Sequence, residues 1–259
     1  MSQGQGIIVT TTRTQDPGSD YRFQLVRQMC QTGKAFNYPI CIVDGSPDHE
    51  TAKELLLAAG ASIVELQHTP GMGASRRQCL ALGLAEAGES GVMAWFEPEK
   101  VAMIPCLEGC IAMVRHGYDI VVTWRNRLFA DYPPYQALSE ARANQEMAEV
   151  TGLNLDLMSG PRIMSRRGAE LLASYTGQSR VDPNVLYNDD WGIIFVPILW
   201  ALKDGLKVGS CPVEYVHPQI QTALESRMPA MDRRRDVQRT ELVAAMRQEA
   251  ELIGLTRAA

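Results

Sequence analysis

The stretch Tyr38-Pro-Ile-Cys-Ile-Val-Asp44, followed at once by the turn residues Gly45-Ser-Pro-Asp48, decides the fold class. An apolar, β-branched run without polar alternation is a strand buried on both faces, which is the setting of a parallel sheet covered by helices. Reading outward, Gly6-Ile-Ile-Val-Thr10 has the same character, and Phe23, Val26, Met29 and Cys30 between the two runs recur at helical spacing, with Gly33 expected to close that helix. Downstream, Ala52, Leu55, Leu56 and Ala59 mark a second amphipathic helix ended by Gly60, and Ala61–Leu66 a third strand. A loop and helix over 71–87, a strand at Val92–Phe96, a helix through Leu107, Ile111 and Val114, and a strand from Asp119 to Thr123 continue the alternation. Strand and helix in turn predict right-handed βαβ crossovers and a mostly parallel, Rossmann-like sheet flanked by helices.

After Arg125 the pattern loosens. Tyr132-Pro-Pro-Tyr135 breaks the chain, Leu138–Val150 reads as helix, and Gly160–Met164 as a strand running across the sheet. An apolar helix is expected from Trp191 to Leu202, stopped by Gly205, then a last strand within Lys207–Val216. From Pro229 the Arg, Glu, Ala, Met and Leu content predicts a long terminal helix, a packing or homodimer element.

Composition narrows the function. With 259 residues, 46% of them hydrophobic, the chain can bury a large single core. Its net charge of -5 argues against nucleic-acid binding, which needs a basic face. No basic and apolar leader opens it and no apolar run reaches the roughly 20 residues of a membrane span, so a soluble, cytoplasmic protein without a transmembrane segment is expected. The six cysteines lack CxxC pairing and are expected to be reduced and buried. Arginine outnumbers lysine 20 to 5, which suits an anionic ligand if several reach one cleft.

In an open parallel sheet the ligand lies beyond the carboxyl ends of the strands. Those ends carry Thr11, Thr12 and Arg13, then Asp44 and Ser46, then Gly71-Met-Gly-Ala-Ser-Arg-Arg77, then Glu97-Pro-Glu-Lys100, then Arg125, and last His217. Asp44 can accept two hydrogen bonds from an imide or a diol, or close an Asx-turn. Gly71 and Gly73 allow close approach to a ligand, and the following helix start favours a diphosphate, although a plain loop-to-helix turn gives the same residues. Glu97 and Glu99 can ligate Mg²⁺ or Mn²⁺ through oxygen, or form an ordinary charged turn stiffened by Pro98. Asp189 or Asp190 can cap the late helix.

At these positions the sequence resembles the nucleotide-diphosphosugar transferases, in particular GT-A glycosyltransferases related to family two and to the mannosylglycerate and glucosyl-phosphoglycerate synthases, over roughly residues 6 to 225. The resemblance implies a GT-A-type domain over 1–225, with a nucleotide-binding half (1–125) and an acceptor half (126–225), and a helical extension over 226–259. It implies donor contacts at Thr11, Arg13, Asp44, Ser46, Gly73, Arg76, Arg77 and Glu97. Acceptor contacts fall at Arg125, Gly160, Arg162 and Trp191, and a catalytic role at Asp190 or Asp189 in Asn188-Asp-Asp-Trp-Gly192. It places a divalent cation, Mg or Mn, on Glu99 and His217, where Glu97-Pro-Glu99 departs from the family's Asp-x-Asp. The implied reaction moves a sugar from a nucleotide-diphosphate donor to the hydroxyl of a small acceptor, leaning to retention. Arg125, Arg127, Arg162 and Arg180 suggest that the acceptor is anionic. A sugar-phosphate nucleotidyltransferase, or a catalytically silent nucleotide-sugar binding protein, are the alternatives.

Overall fold

The computed structural model describes residues 6–89, 91–127, 132–225 and 230–255. Seven strands, β1 (Gly6–Thr12), β2 (Ile40–Asp44), β3 (Ile63–Leu66), β4 (Val92–Trp95), β5 (Ile120–Arg125), β6 (Arg162–Met164) and β7 (Val208–Val213), form one sheet in the order β3-β2-β1-β4-β6-β5-β7. All pairs are parallel except those of β6, which runs antiparallel between β4 and β5. The segment expected to cross the sheet is therefore part of it.

Alternate residues of each strand serve opposite cores, which is why the strands read as continuous apolar runs. Ile7, Val9, Cys41, Val43, Met93 and Trp95 face one side, together with helices α3 (Met72–Ala87), α6 (Arg166–Ala173), α8 (Val196–Lys203) and α10 (Ala230–Leu252). Ile8, Ile40, Ile42, Ala94, Phe96 and Ile163 face the other, against α1 (Tyr21–Ala35), α2 (His49–Ala59) and α4 (Leu107–Arg115). The remaining helices are α5 (Pro134–Thr151), the short α7 (Asp189–Gly192) and α9 (Gln219–Glu225).

Two sequence expectations shift, and a third cannot be placed. Gly33 lies inside α1, where an added Cβ would sit 2.4 Å from Ile40 Cδ1, so its smallness lets β2 pack close and does not end the helix. The apolar helix from Trp191 splits into α7 and α8, because Pro197 in the first turn of α8 has no N–H to carry the ladder across. Residues 226–229 and 256–259 of the terminal extension, with the expected helix start at Pro229, lie outside the described residues. Within α10, Leu242, Val243, Met246 and Ala250 enter the main core. Among the described residues all six cysteines are free thiols, five of them buried, and no helix is long and apolar enough to cross a membrane.

Candidate functional site

The strand order reverses between β1 and β4, so the carboxyl ends of these two strands open the crevice where a doubly wound sheet binds its ligand. On the β1 side Thr11 is half-buried, and Arg13 is exposed without an ion pair among the described residues. Next to it, Thr12 is in register with Asp44 of β2.

The free carboxylate expected at an exposed strand end is not what Asp44 presents. Its side chain is fully buried, Oδ1 accepting from the Ser46 N–H (3.2 Å) and hydroxyl (2.6 Å), and Oδ2 lying 2.9 Å from His49 Nδ1. The Ser46 Oγ accepts in turn from the Thr14 N–H at 3.0 Å. Asp44 and Ser46 thus tie the β2 turn to the loop after β1 and shape the crevice wall. His49, at the start of α2, completes that unit.

Gly71 and Gly73 lead into α3 as anticipated, but the first-turn N–H groups expected to meet a diphosphate are occupied. Asp190 Oδ1 accepts from the N–H of Met72 (3.0 Å) and of Gly73 (3.1 Å), capping α3 from a position more than one hundred residues away in sequence. Asp189 pairs through both oxygens with Arg77, at 2.5 and 3.0 Å. The close approach requires Gly73, since a Cβ there would lie 2.4 Å from Asp189 Cγ. Asn188 caps α7 through the N–H groups of Asp190 and Trp191. Asp189 is therefore fully engaged, whereas Asp190 keeps Oδ2, which makes no hydrogen bond among the described residues.

Arg76 joins this turn to the end of β4. It is buried, donates to the Asp190 carbonyl at 2.5 Å, lies 3.7 Å from Glu97, and its guanidinium sits over the rings of Trp191 and Trp95 at 4.9 and 5.3 Å. Burial pushes its pKa down, opposed by Glu97, Asp190 and Glu99. Arg76 Nε and Trp95 Nε1 are buried donors without an acceptor among the described residues, which is uncommon for buried polar groups. Glu97 in turn lies over Gly160, whose φ of 94° and missing Cβ make room for the carboxylate.

Past Glu97 the chain enters a 3₁₀ segment, Pro98–Cys106. Burial, then the Glu97 charge, raises the Glu99 pKa, with Lys100 opposing. Lys100 is buried, donates to the Tyr132 hydroxyl at 2.8 Å, and lies over the rings of Tyr132 and Tyr215. Burial alone would lower its pKa, but Tyr132, Tyr215, Glu99 and Glu97 hold it well above the usual lysine value. His217 is buried against Tyr132 with ring centroids 4.3 Å apart. The Tyr215 hydroxyl touches both the Glu99 carbonyl (3.1 Å) and His217 Nδ1 (3.3 Å), bringing the two expected metal ligands to one neighbourhood. Among the described residues no three His, Cys, Asp or Glu side chains gather as a metal site. The donor set is thus open, and fits an ion only if a ligand's phosphate oxygens supply the rest of its shell.

The expected acceptor arginines are consumed by the protein. Arg125 is buried, its Nε and Nη2 each 2.7 Å from the two oxygens of Asp156 and its Nη1 2.6 Å from Glu140. Arg162, with no exposed surface, donates to the carbonyls of Leu157, Gly160, Pro161 and Ile194, and burial lowers its pKa to about 10. Arg180 pairs with Asp204 at 2.9 and 3.0 Å. A cavity of about 480 Å³ lies away from the strand ends, between α5 and α10.

Neither a protein-family model nor a curated relative matches the sequence. Among solved structures it is similar to mannosyl-3-phosphoglycerate synthase from Rubrobacter xylanophilus (TM-score 0.50, 14% identity, 98% of this chain and 77% of that one). It is equally similar to a cytidylyltransferase from Leptospira borgpetersenii serovar Hardjo-bovis (TM-score 0.50, 8% identity, 99% of both chains). The chain shares the fold of these two structures. At these identities the likeness shows that fold alone, so the chemistry of a nucleotide-diphospho-sugar transferase has to be argued from the site.

Proposed function

We propose that the protein transfers a sugar from a nucleotide-diphosphate donor to the hydroxyl of a small acceptor. The observation that carries this reading is the position of Arg76, which links the acidic end of β4 to the Asp189-Asp190-Trp191 turn in one site at the sheet's switch point. Donor and acceptor ends of a transfer reaction then share a wall. Thr11 and Arg13 face the donor, with Asp44 and Ser46 holding the turn behind it, and Glu97 lies between nucleotide and sugar. Asp190 Oδ2 and the Trp191 ring meet the acceptor. Arg125, Arg162 and Arg180, three of the arginines that suggested an anionic acceptor, are bound internally, so the reading commits to a hydroxyl and to no charge.

In the reaction the bond from the anomeric carbon to the diphosphate breaks, and one to the acceptor oxygen forms. Arg13 opposes the charge that grows on the leaving diphosphate. In an inverting course Asp190 Oδ2 accepts the acceptor's proton; in a retaining course, favoured only by the Asp-Trp-Gly resemblance, it orients that hydroxyl. A divalent Mg or Mn ion, held by Glu99, His217 and the donor phosphates, would supply Lewis-acid stabilisation of the same charge. The exposed side of α10, with Val237, is the proposed surface for a homodimer, and the free thiols fit a reducing, cytoplasmic setting.

The cytidylyltransferase of equal TM-score favours nucleotidyl transfer as a second reading. Against it, the segment at the end of β1, Thr11-Thr-Arg-Thr14, is not a glycine-rich basic loop able to grip a triphosphate. A thermal-shift panel of nucleoside diphosphates, triphosphates and nucleotide sugars, with and without Mn²⁺, tests the reading. A ligand at 100 times its Kd adds about 2.7 kcal/mol of stability. Nucleotide sugars should stabilise, and added acceptor alcohols should release nucleoside diphosphate. Pyrophosphate release from a triphosphate and a sugar phosphate would install the second reading, and no turnover with any donor would sink both.

A further inference from the structure

The terminal helix carries a fully buried carboxylate that the proposed reaction does not use. Glu249 of α10 has no exposed surface, yet among the described residues no cation pairs with it. Its Oε1 accepts from Trp200 Nε1 (2.6 Å) and from the Arg180 N–H (3.3 Å), and its Oε2 from the Tyr187 hydroxyl (2.9 Å). Uncharged donors on three sides are what a buried carboxylate needs to remain in place.

Two of those donors belong to one excursion of the chain. Between α6 and α7 the backbone makes a narrow loop closed by Tyr187 N–H to the Gly177 carbonyl (2.7 Å), Ser179 N–H to the Val185 carbonyl (3.0 Å) and a bridge between Gln178 and Leu186. Val181 toward its tip and Leu186 at its closing bridge are exposed, so little apolar burial fixes this loop. Beside the Arg180–Asp204 pair, its anchor toward α10 is Glu249. Tyr187 stands immediately before Asn188-Asp-Asp-Trp191, so where its hydroxyl is held sets the entry of the turn that docks on α3.

We infer that Glu249 is a positioning residue: through Tyr187 and Arg180 it holds the 177–188 loop so that Asp190 stays docked on the α3 amino terminus with Oδ2 turned to the acceptor. The inference rests on the proposed transfer for its functional consequence, but not for its structural one. Carboxylate-to-amide change at Glu249 keeps the Oε1 acceptor and weakens the bond to Tyr187, while Tyr187→Phe deletes that bond alone and preserves the ring packing.

The test is backbone amide exchange by NMR on the intact chain for the wild type, Glu249→Gln and Tyr187→Phe. Both variants should keep a cooperative thermal transition and show exchange at least tenfold faster within 177–190 and at the N–H groups of Met72 and Gly73. These two lie on another helix and report only on docking of Asp190. A purely local role for Glu249 would accelerate α10 and its neighbours without touching Met72 and Gly73, and that result overturns the inference. With turnover, the acceptor KM should rise several-fold at constant donor KM, and an equal rise in both would also overturn it. If the wild type turns over no donor, the proposed function fails, yet exchange at Met72 and Gly73 still decides the role of Glu249.

Discussion

Replacement of Arg125 by methionine separates an acceptor-binding arginine from a structural one. In the structure this guanidinium is 3% exposed and neutralises two carboxylates, Asp156 through paired 2.7 Å bonds and Glu140 through a 2.6 Å bond. Methionine fills comparable volume but leaves both acids without their cation, and removing one partner from a buried ionic group costs about 3–5 kcal/mol. At 2–4 °C per kcal/mol for a chain of this size, the unfolding midpoint should fall by roughly 6–20 °C at pH 7.5.

The pH dependence carries the sign. Burial by itself raises the Asp156 pKa, but the hydrogen bonds and charge of Arg125 outweigh it and hold the group below its ordinary value of 3.8. A carboxyl depressed in the folded state contributes stability above its unfolded pKa, lost as pH falls through the folded one. Without the arginine the order reverses, because burial and mutual repulsion then favour protonation. Wild type and variant should therefore converge as pH is lowered from 7.5 towards 4. Calorimetric scans across that range check both points. A midpoint within 2 °C of wild type at pH 7.5, or a gap constant with pH, would refute the structural role and return Arg125 to the acceptor site.

Further outcomes follow from the same geometry. Gly73→Ala places a Cβ 2.4 Å from Asp189 Cγ and 2.7 Å from its carbonyl oxygen, so it should undock the Asp189–Asp190 turn. Exchange protection at Met72 should then be lost and any transfer fall at least tenfold, and a wild-type rate would count against the docked turn as part of the site. Gly160→Ala adds strain at φ 94° and pushes on Glu97, for a loss of about 1–3 kcal/mol measurable by denaturant titration. Glu99→Gln should raise the midpoint at pH 7, since a carboxyl with a raised pKa costs stability when ionised, and should make no difference near pH 4. The same variant, compared by calorimetry with wild type in Mn²⁺ and in chelator, should lose only metal-dependent binding of a nucleoside diphosphate. Equal wild-type binding in chelator would remove the ion from the proposal.

The sheet was legible because strands buried on both faces write unbroken apolar runs, and Gly60 ended α2 as read, in a left-handed cap with φ 111°. Gly33 misled because a glycine at the end of a helical pattern looks like a stop; only the packing of Ile40 shows why it is there. Which positions stand at strand ends was also readable, but not what each side chain does. Asp156 and Glu140 are 31 and 15 residues from Arg125, and the amides that hold Asp190 are 117 and 118 residues from it. No periodicity announces such pairs. The one local clue was His49, five residues after Asp44, a histidine at the start of a helix within reach of a strand-end carboxylate.

The pairings bear on why a divalent ion has a reason to act here. Asp189 neutralises Arg77, and Asp190 already serves α3 as its cap, so neither of these charges is available to a donor. Around the crevice, Glu97 and Glu99 are then set against Arg76 and Lys100, leaving Arg13 as the one surplus cation in this set. A diphosphate brings about two negative charges, and an arginine at the exposed end of β1 can offset only part of them in water-accessible surroundings. In the proposed reaction an ion held by Glu99, His217 and the phosphates would close that deficit without breaking any of the internal pairs that fix the turn. A donor that met Arg76 or Arg77 directly would have to release Asp190 or Asp189 first, and so undo the acceptor end of the same site.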